Sequence, residues 1–455
     1  MPHSIWHPGI LFSFFLSKGL VFYKDFANMH FPLSTFLVFP LYLISNWNLD
    51  IEPAVSLLIG ILTLIFVFFA ARTFLNNFGS AVAIIFFSIF YYFSSTSIQY
   101  SIEQVIGLML SILIFKVITA FKLKLFNQPN LLLIGILFGL TELSGQIITL
   151  SLASLFLYII YYTKRIVVFF VGILLSLIPL ALYLIFNNAL FEFFNQNIFF
   201  YSTYIKLANS GNQLSSLPWN IILAFYTPLI MGLPFFLNMR VIEGFKKNIF
   251  NVMFIMSAAS IPSVVFSVFH PHHFLYILPV NALLAGLSID LSLSQKKFKS
   301  IVILPIILLL IIFLTSILPW YLERIGKGNL RIINDVSPNT SMYNTIGWVK
   351  KYTKEDDRLL VVGDSLFYFR SNRLPSTKLY TVLPWHYKPI EISARIIQKN
   401  RPDYWVLDTN YLQRLSSPKG WSSPEISEFI LQELKICYQK RASFDEWEIW
   451  GKVCT

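Results

Sequence analysis

Residues 51–72 read IEPAVSLLIGILTLIFVFFAAR, a nearly unbroken apolar run that ends on Arg72. A helix of this length crosses the roughly 30 Å hydrocarbon core of a bilayer at about 1.5 Å per residue. Further apolar spans lie at about 79–93, 98–121, 131–146, 147–162, 166–187, 217–237, 249–269, 273–293 and 300–320. The sequence therefore predicts a polytopic α-helical membrane protein with about ten transmembrane helices.

The composition supports this class. Hydrophobic residues make up 56% of the chain and charged residues only 13%, which is about half the usual charged share of a soluble domain. The net charge of +12 would also suit a nucleic-acid-binding protein. In a membrane protein, however, it is the expected bias of the cytoplasmic loops, so we expect the bilayer and no nucleic acid as partner.

Basic residues occur in every second connection between the spans, which sets the orientation. These residues are Arg72, Lys122, Lys124, Lys164, Arg165, Arg240, Lys246, Lys247, Lys296, Lys297 and Lys299. The positive-inside rule places their loops in the cytoplasm. Residues 1–50, the loop 188–216, the turn at 270–273 and everything after 320 are then expected outside, in a multi-pass protein of the cell membrane.

Three regions follow from this topology. Residues 1–50 are predicted to be an extracytoplasmic loop with interfacial helices, because 10–22 is too short to span and suits a helix on the membrane surface. We expect a first helix upstream of the given start. Residues 51–320 form the transmembrane domain. Residues 321–455 form a small extracytoplasmic α/β domain.

The tail alternates strand and helix patterns. Residues 358–364 and 403–408 are predicted strands, and 390–399 and 424–434 are predicted helices. Cys437 and Cys454 are the only cysteines. They could form one disulfide if this end is extracytoplasmic, although two cysteines do not prove it.

Polar residues within or beside the spans collect at the outer face. They are Lys24, Asp25, Glu103, Gln104, Glu142, Gln146, His270, His272, His273 and Asn281. Charged groups there are costly unless they have a partner or a function, so a site at this face is predicted. The ordinary alternatives are an interfacial Glu, turn histidines beside Pro271, and an Asp25 that caps a helix or pairs with Lys24.

Asp290 is the exception to this distribution. It lies at the inner end of its span, and a simple ion pair with Lys296 or Lys297 is predicted there.

The segment 19–33 contains Tyr23-Lys-Asp25 and His30-Phe-Pro-Leu33. It resembles the "G…Y-x-D…H-P-P-L" segment in the first extracytoplasmic loop of C-type glycosyltransferases, above all the protein O-mannosyltransferase and aminoarabinose-transferase group. Three further segments resemble motifs of that group. Ala70-Ala-Arg72 resembles its "A-R" motif, Ile134–Leu140 its "G-L-L-L-G-L" motif, and His273–Pro279 its "H-Y-x-L-P-x-x-P" motif. The resemblance covers nearly the whole chain.

Two positions depart from the group's pattern. The acidic pair that usually follows the first helix would lie near residues 1–8, where this chain has Trp6-His7-Pro8. The lysine after the "G-L" helix is also missing, and the region Glu142 to Gln146 stands in its place.

The resemblance implies transfer of a sugar from a polyprenyl-phosphate carrier to a lipid, glycan or protein acceptor, without a cofactor. Such a reaction needs a base for the acceptor proton and cations or donors for the phosphate. Asp25 is the candidate base, and Glu103 is the second candidate acid. The candidate substrate and phosphate contacts are Tyr23 in the sugar pocket, Lys24, His30, Glu142, Gln146, His270, His272 and His273.

No metal site is predicted. The histidines at 270, 272 and 273 are of a type that binds zinc, but Pro271 and the lack of a neighbouring carboxylate in the sequence argue against it.

Two other functions remain open. A transporter or flippase of lipid-linked substrates would place its polar groups near the bilayer midplane, often in inverted repeats, and neither is evident here. A non-catalytic homologue would explain the missing first acid. An upstream reading frame with a helix followed by Asp-Glu would favour the enzyme.

Overall fold

The structure is a computed structural model. It describes residues 8–28, 30–48, 51–94, 100–163, 165–199, 219–242, 244–265, 271–294, 340–381, 390–416 and 424–454, together with positions 303, 306–307, 310–311 and 313–319.

The described residues before 300 are almost entirely helical. The helices are α1 (Pro8–Ser17), α2 (Leu33–Ile44), α3 (Ile51–Phe74), α4 (Asn77–Ser94), α5 (Ile102–Leu123), α6 (Gln128–Ser144), α7 (Thr149–Tyr162), α8 (Ile166–Phe186), α9 (Leu190–Phe194), α10 (Trp219–Phe225), α11 (Thr227–Leu237), α12 (Gly244–Val265) and α13 (Leu278–Ser294).

Helices α3, α4, α5 and α8 are each long and apolar enough to cross a membrane. Two bent pairs pass the same test jointly: residues 128–144 with 146–162, bent by 115°, and 219–225 with 227–237, bent by 50°. The multi-span helical architecture is therefore confirmed. The count of about ten spans stays a prediction, because the spans at 249–269 and 300–320 fall partly outside the described residues.

Glycines allow α6 and α8 to cross at backbone contact. A Cβ on Gly135 would lie 2.2 Å from the Phe169 carbonyl oxygen, and one on Gly172 would lie 2.3 Å from that of Leu132. Small residues are what bring helix backbones together in membranes, where lipid offers no hydrophobic drive for association. The motif Ile134–Leu140 is thus a helix-packing element.

Gly135→Ala is expected to destabilise the protein by about 1–3 kcal/mol, because its methyl group must push two backbones apart. Gly347→Ala is the matched control. Gly347 is also helical, but nothing lies within 4 Å of its Cβ position, so alanine should leave stability equal or slightly higher. Thermal unfolding in detergent checks both. Equal unfolding temperatures for the two variants would contradict the backbone contact.

A hydrogen bond from Asn281 satisfies a backbone carbonyl at the bend between α10 and α11. The Asn281 Nδ2 atom donates to the Phe225 carbonyl oxygen at 3.2 Å, and Ser257 Oγ donates to Asn281 Oδ1 at 2.6 Å. Backbone groups freed at a break in a membrane helix need such partners. Asn281, which the sequence assigned to the outer polar set, is fully buried and has this structural role.

Asp290 forms the ion pair predicted for it, with a different lysine. Its Oδ2 atom lies 2.7 Å from Lys246 Nζ. Lys296 and Lys297 lie outside the described residues.

The tail forms a small α/β domain. Its described helices are α14 (Thr340–Tyr352), α15 (Leu366–Ser371), α16 (Ile390–Lys399), α17 (Thr409–Ser416) and α18 (Pro424–Cys437), and its strands are β1 (Arg358–Val362), β2 (Leu374–Pro375), β3 (Tyr404–Asp408), β4 (Tyr438–Phe444) and β5 (Trp447–Lys452). These strands form one sheet in the order β2-β1-β3-β5-β4. Strand β1 pairs in parallel with β2 and β3, whereas β5 is antiparallel to β3 and β4. The small C-terminal sheet is confirmed.

Helix α1 lies inside protein, which differs from the prediction of a helix on the membrane surface. Its side chains from Ile10 to Phe15 are at most 5% exposed. Phe12 packs on Tyr380 and Phe15 on Tyr368, with ring centroids 5.9 and 5.8 Å apart. An apolar segment can be buried equally well by lipid or by protein, and here the tail domain covers it.

The segment after α1 also pairs with the tail. The Ala27 amide donates to the Lys378 carbonyl oxygen at 2.8 Å. The first loop and the tail domain therefore lie on the same side of the helical bundle. The tail also carries a disulfide between Cys437 and Cys454.

Candidate functional site

The structure brings three sequence-predicted residues together at one end of the bundle. Glu103 Oε1 lies 4.0 Å from His272 Nε2 and 3.9 Å from His273 Nε2. Glu103 stands in the first turn of α5, and both histidines belong to the short 3-10 helix Pro271–Phe274. A carboxylate is favoured at a helix N-terminus by the helix dipole. We call Glu103, His272 and His273 the trio.

Gly107 explains why the trio can form. It lies one helical turn after Glu103, and a Cβ at this position would come within 2.6 Å of the Leu275 carbonyl oxygen. Only glycine lets the chain that follows the histidines lie against α5 this closely. The imidazoles are thereby placed beside the Glu103 carboxylate.

His30 joins the trio electrostatically. Burial lowers the pKa of His30, while Glu103 raises it and His272 lowers it further. Burial also lowers the pKa of His272, although about 33% of its side chain stays exposed. Both imidazoles are therefore neutral at pH 7, which is the form that accepts hydrogen bonds and ligates metals.

The trio also fits a metal ion. One ligand atom from each of Glu103, His272 and His273 lies within 4.8 Å of the others. Two imidazoles and one carboxylate are a familiar zinc set that leaves a coordination position open. A carboxylate therefore does lie beside the histidines, and the premise on which no metal site was predicted is wrong. Glu103 is remote in sequence but adjacent in the fold.

Asp25 has a local structural contact. Its Oδ2 atom accepts a hydrogen bond from the Val21 amide at 2.8 Å, and its own amide donates to the Val21 carbonyl oxygen at 2.9 Å. Among the described residues, these bonds keep Asp25 within its own half-buried turn and do not join it to the trio. Lys24 donates to the Asn187 carbonyl oxygen at 3.3 Å and does not pair with Asp25.

Tyr23 is buried and does not line an open pocket. Its hydroxyl donates to the His30 carbonyl oxygen at 2.8 Å, and its ring packs on Phe193 with centroids 5.2 Å apart. Burial raises the pKa of the Tyr23 phenol well above its usual value. A sugar contact by this ring stays a prediction.

Glu142 and Gln146 flank the 115° bend between α6 and α7. Glu142 Oε1 accepts a hydrogen bond from Thr149 Oγ1 at 2.5 Å. Gly145 packs on Ile106 and Ile102 of α5, where a Cβ would come within 2.6 Å of the Ile106 side chain. The bend thus lies beside the first turns of the helix that carries Glu103. The last predicted site residue, His270, lies outside the described residues.

Glu52 is a buried acid that was not predicted as a site residue. It stands in the first turn of α3, is 2% exposed and accepts a hydrogen bond from the Tyr42 hydroxyl at 3.2 Å. One turn later, Ser56 Oγ accepts from Gln104 Nε2 at 2.6 Å. This bond joins the N-termini of α3 and α5 and places two buried carboxylates at the same end of the bundle. An acid in the first turn of an apolar span was the available signal.

No protein-family model and no curated protein matches this chain. Among solved structures, ArnT from Cupriavidus metallidurans bound to undecaprenyl phosphate is similar, with a TM-score of 0.60 and 12% identity over 100% of this chain and 94% of that chain. The apo oligosaccharyltransferase of Archaeoglobus fulgidus is similar with a TM-score of 0.55 and 13% identity, over 96% of this chain and 69% of that chain. The chain therefore has the fold of the C-type membrane glycosyltransferases.

Proposed function

We propose that the protein is a membrane glycosyltransferase that moves a sugar from a polyprenyl-phosphate carrier to a lipid, glycan or protein acceptor. The observation that carries this is the trio, a buried carboxylate with two imidazoles at the end of an apolar bundle. The similar ArnT structure holds undecaprenyl phosphate, which supports a polyprenyl-phosphate donor. A carrier tail within the bilayer would bring its phosphate to this end of the helices.

The chemistry uses few groups. The bond between the anomeric carbon and the phosphate oxygen breaks, and a bond from that carbon to the acceptor oxygen forms. The acceptor's hydroxyl proton goes to a carboxylate, and Asp25 remains the candidate base. Each neutral imidazole has one N–H group, which would donate to a departing phosphate oxygen. A divalent metal held by Glu103, His272 and His273 would supply positive charge there.

Sugar transfer by the purified protein tests this proposal directly. Purified protein is mixed with labelled polyprenyl-phosphate sugars and with lipid and glycan fractions of a cell envelope as acceptors. We expect label in the acceptor and free polyprenyl phosphate. Movement of the intact donor across proteoliposomes without bond cleavage would favour a transporter. Neither transfer nor movement would favour a non-catalytic homologue.

We further propose that the trio, the first loop and the tail domain face the extracytoplasmic side. The basic loops support this by the positive-inside rule. The Cys437–Cys454 disulfide also supports it, because disulfides persist in oxidising compartments.

Labelling of cysteines checks the orientation. In intact cells, an impermeant maleimide should label Cys437 and Cys454 only after treatment with an impermeant reductant. A cysteine in place of the exposed Leu125, in a basic loop, should react only after permeabilisation. The reverse pattern would place the tail in the cytoplasm.

A further inference from the structure

Gln196, which follows α9, forms hydrogen bonds on both sides of Asp25 in the loop that carries this residue. Gln196 Nε2 donates to the Tyr23 carbonyl oxygen at 2.7 Å, and Gln196 Oε1 accepts from the Asn28 amide at 3.0 Å. The donor and the acceptor of one side-chain amide thus both bind backbone groups that flank Asp25. We call this pair of hydrogen bonds the bracket. Gln196 is 173 positions away from Tyr23 in the chain, so no local sequence pattern predicts this contact.

The bracketed loop has a conformation that it would not adopt by itself. Tyr23 has a φ of 70°, a left-handed backbone that is unfavourable for a bulky aromatic residue. Such conformations persist only where the surroundings hold them, and they cluster at functional sites. Here the carbonyl of this same residue is the acceptor for Gln196.

The bracket is itself anchored to the tail domain. Gln196 Nε2 lies 3.4 Å from Glu192 Oε2, and that oxygen accepts from Lys378 Nζ at 2.7 Å. The Lys378 carbonyl oxygen in turn accepts from the Ala27 amide at 2.8 Å. The loop is therefore held from two directions, by the Gln196 side chain and by the backbone of the tail.

The loop also holds His30. The Tyr23 hydroxyl donates a hydrogen bond to the His30 carbonyl oxygen, and the Asn28 Oδ1 atom accepts one from the His30 amide at 3.0 Å. A shift of Tyr23 and Asn28 would therefore move Asp25 and His30 together.

We propose that Gln196 is a positioning residue that keeps the strained Tyr23–Asn28 segment, and with it Asp25, in the conformation that sugar transfer requires. The consequence for transfer rests on the proposed function, whereas the consequence for the loop does not. Gln196 touches no reacting atom in this scheme and acts only through the backbone that it holds.

Amide hydrogen exchange tests the bracket without any substrate. Gln196→Ala removes two hydrogen bonds, so the peptide that covers residues 21–30 should exchange about ten- to thirtyfold faster. Gln196→Glu keeps an acceptor for the Asn28 amide but loses the donor to Tyr23 and places a second charge beside Glu192, so it should also exchange faster. Gln398→Ala is the matched control, because it removes a glutamine bond to Glu433 of 2.6 Å in the tail and should leave this peptide unchanged.

Transfer kinetics supply the second measurement. We expect Gln196→Ala to lower kcat about tenfold or more with little change in KM for the lipid-linked donor, because misplaced groups slow the reaction. Unchanged amide hydrogen exchange in residues 21–30 would overturn the claim that Gln196 holds this loop. Faster exchange with a wild-type kcat would overturn its role in transfer. If the unsubstituted protein transfers no sugar, the proposed function fails, and exchange alone still decides whether Gln196 holds the loop.

Discussion

Asp25→Asn is expected to lower sugar transfer by about 10²–10⁴-fold, the usual contribution of a general base. The structure makes this substitution informative because Asp25 has two possible roles. Its carboxylate accepts a hydrogen bond from the Val21 amide at 2.8 Å and thereby closes a turn. Asparagine keeps an oxygen for that hydrogen bond and removes only the negative charge, so the turn should survive and the base should not.

Two further variants separate the roles of Asp25. Asp25→Ala removes both the charge and the turn hydrogen bond, so it should lose activity and also loosen the loop. Asp357→Asn is the control, because Asp357 accepts a hydrogen bond from the Lys354 amide at 2.7 Å and so closes a turn of the tail. It should keep full activity. Turnover measured with a labelled lipid-linked sugar decides the point, and a wild-type rate for Asp25→Asn would reject Asp25 as the base.

Glu103→Gln is expected to lower transfer by about 10²-fold or more, because a fixed charge that is largely buried contributes strongly to electrostatic stabilisation. The Glu103 side chain is 9% exposed, and its carboxylate lies about 4 Å from two imidazoles. Glutamine has nearly the same shape, so the close approach of Gly107 to Leu275 should persist. The predicted loss therefore reports the charge and its partners.

Metal analysis adds a second measurement for Glu103. Protein purified with zinc present should retain about one ion per chain, and Glu103→Gln should lose most of it. Glu433→Gln is the control, since Glu433 is also buried but pairs with Arg401 in the tail, and it should change neither zinc content nor transfer. Lost transfer with no zinc in either protein would assign Glu103 a role without metal. Full transfer by Glu103→Gln would remove the trio from the reaction.

The polar residues at the end of the bundle that carries the trio separate what the sequence predicted from what it did not. Hydropathy and loop charge were enough to assign Glu103, His272 and His273 to the same end of the bundle. The same reasoning placed Asn281 with them, but its amide satisfies a broken helix instead. Depth along a span can be counted from sequence, whereas the direction in which a side chain points depends on the neighbouring helix.

Sequence alone determined that this protein is a bundle of apolar helices with a small α/β tail, because hydrophobic length and alternation are local properties of the chain. Tertiary structure alone decided that Gly107 brings two histidines to Glu103, that Glu52 is buried nearby, and that Gln196 holds the Asp25 loop. These contacts join residues far apart in sequence. They depend on where glycines let backbones approach and on which partners satisfy buried polar groups, and neither leaves a periodic signal along the chain.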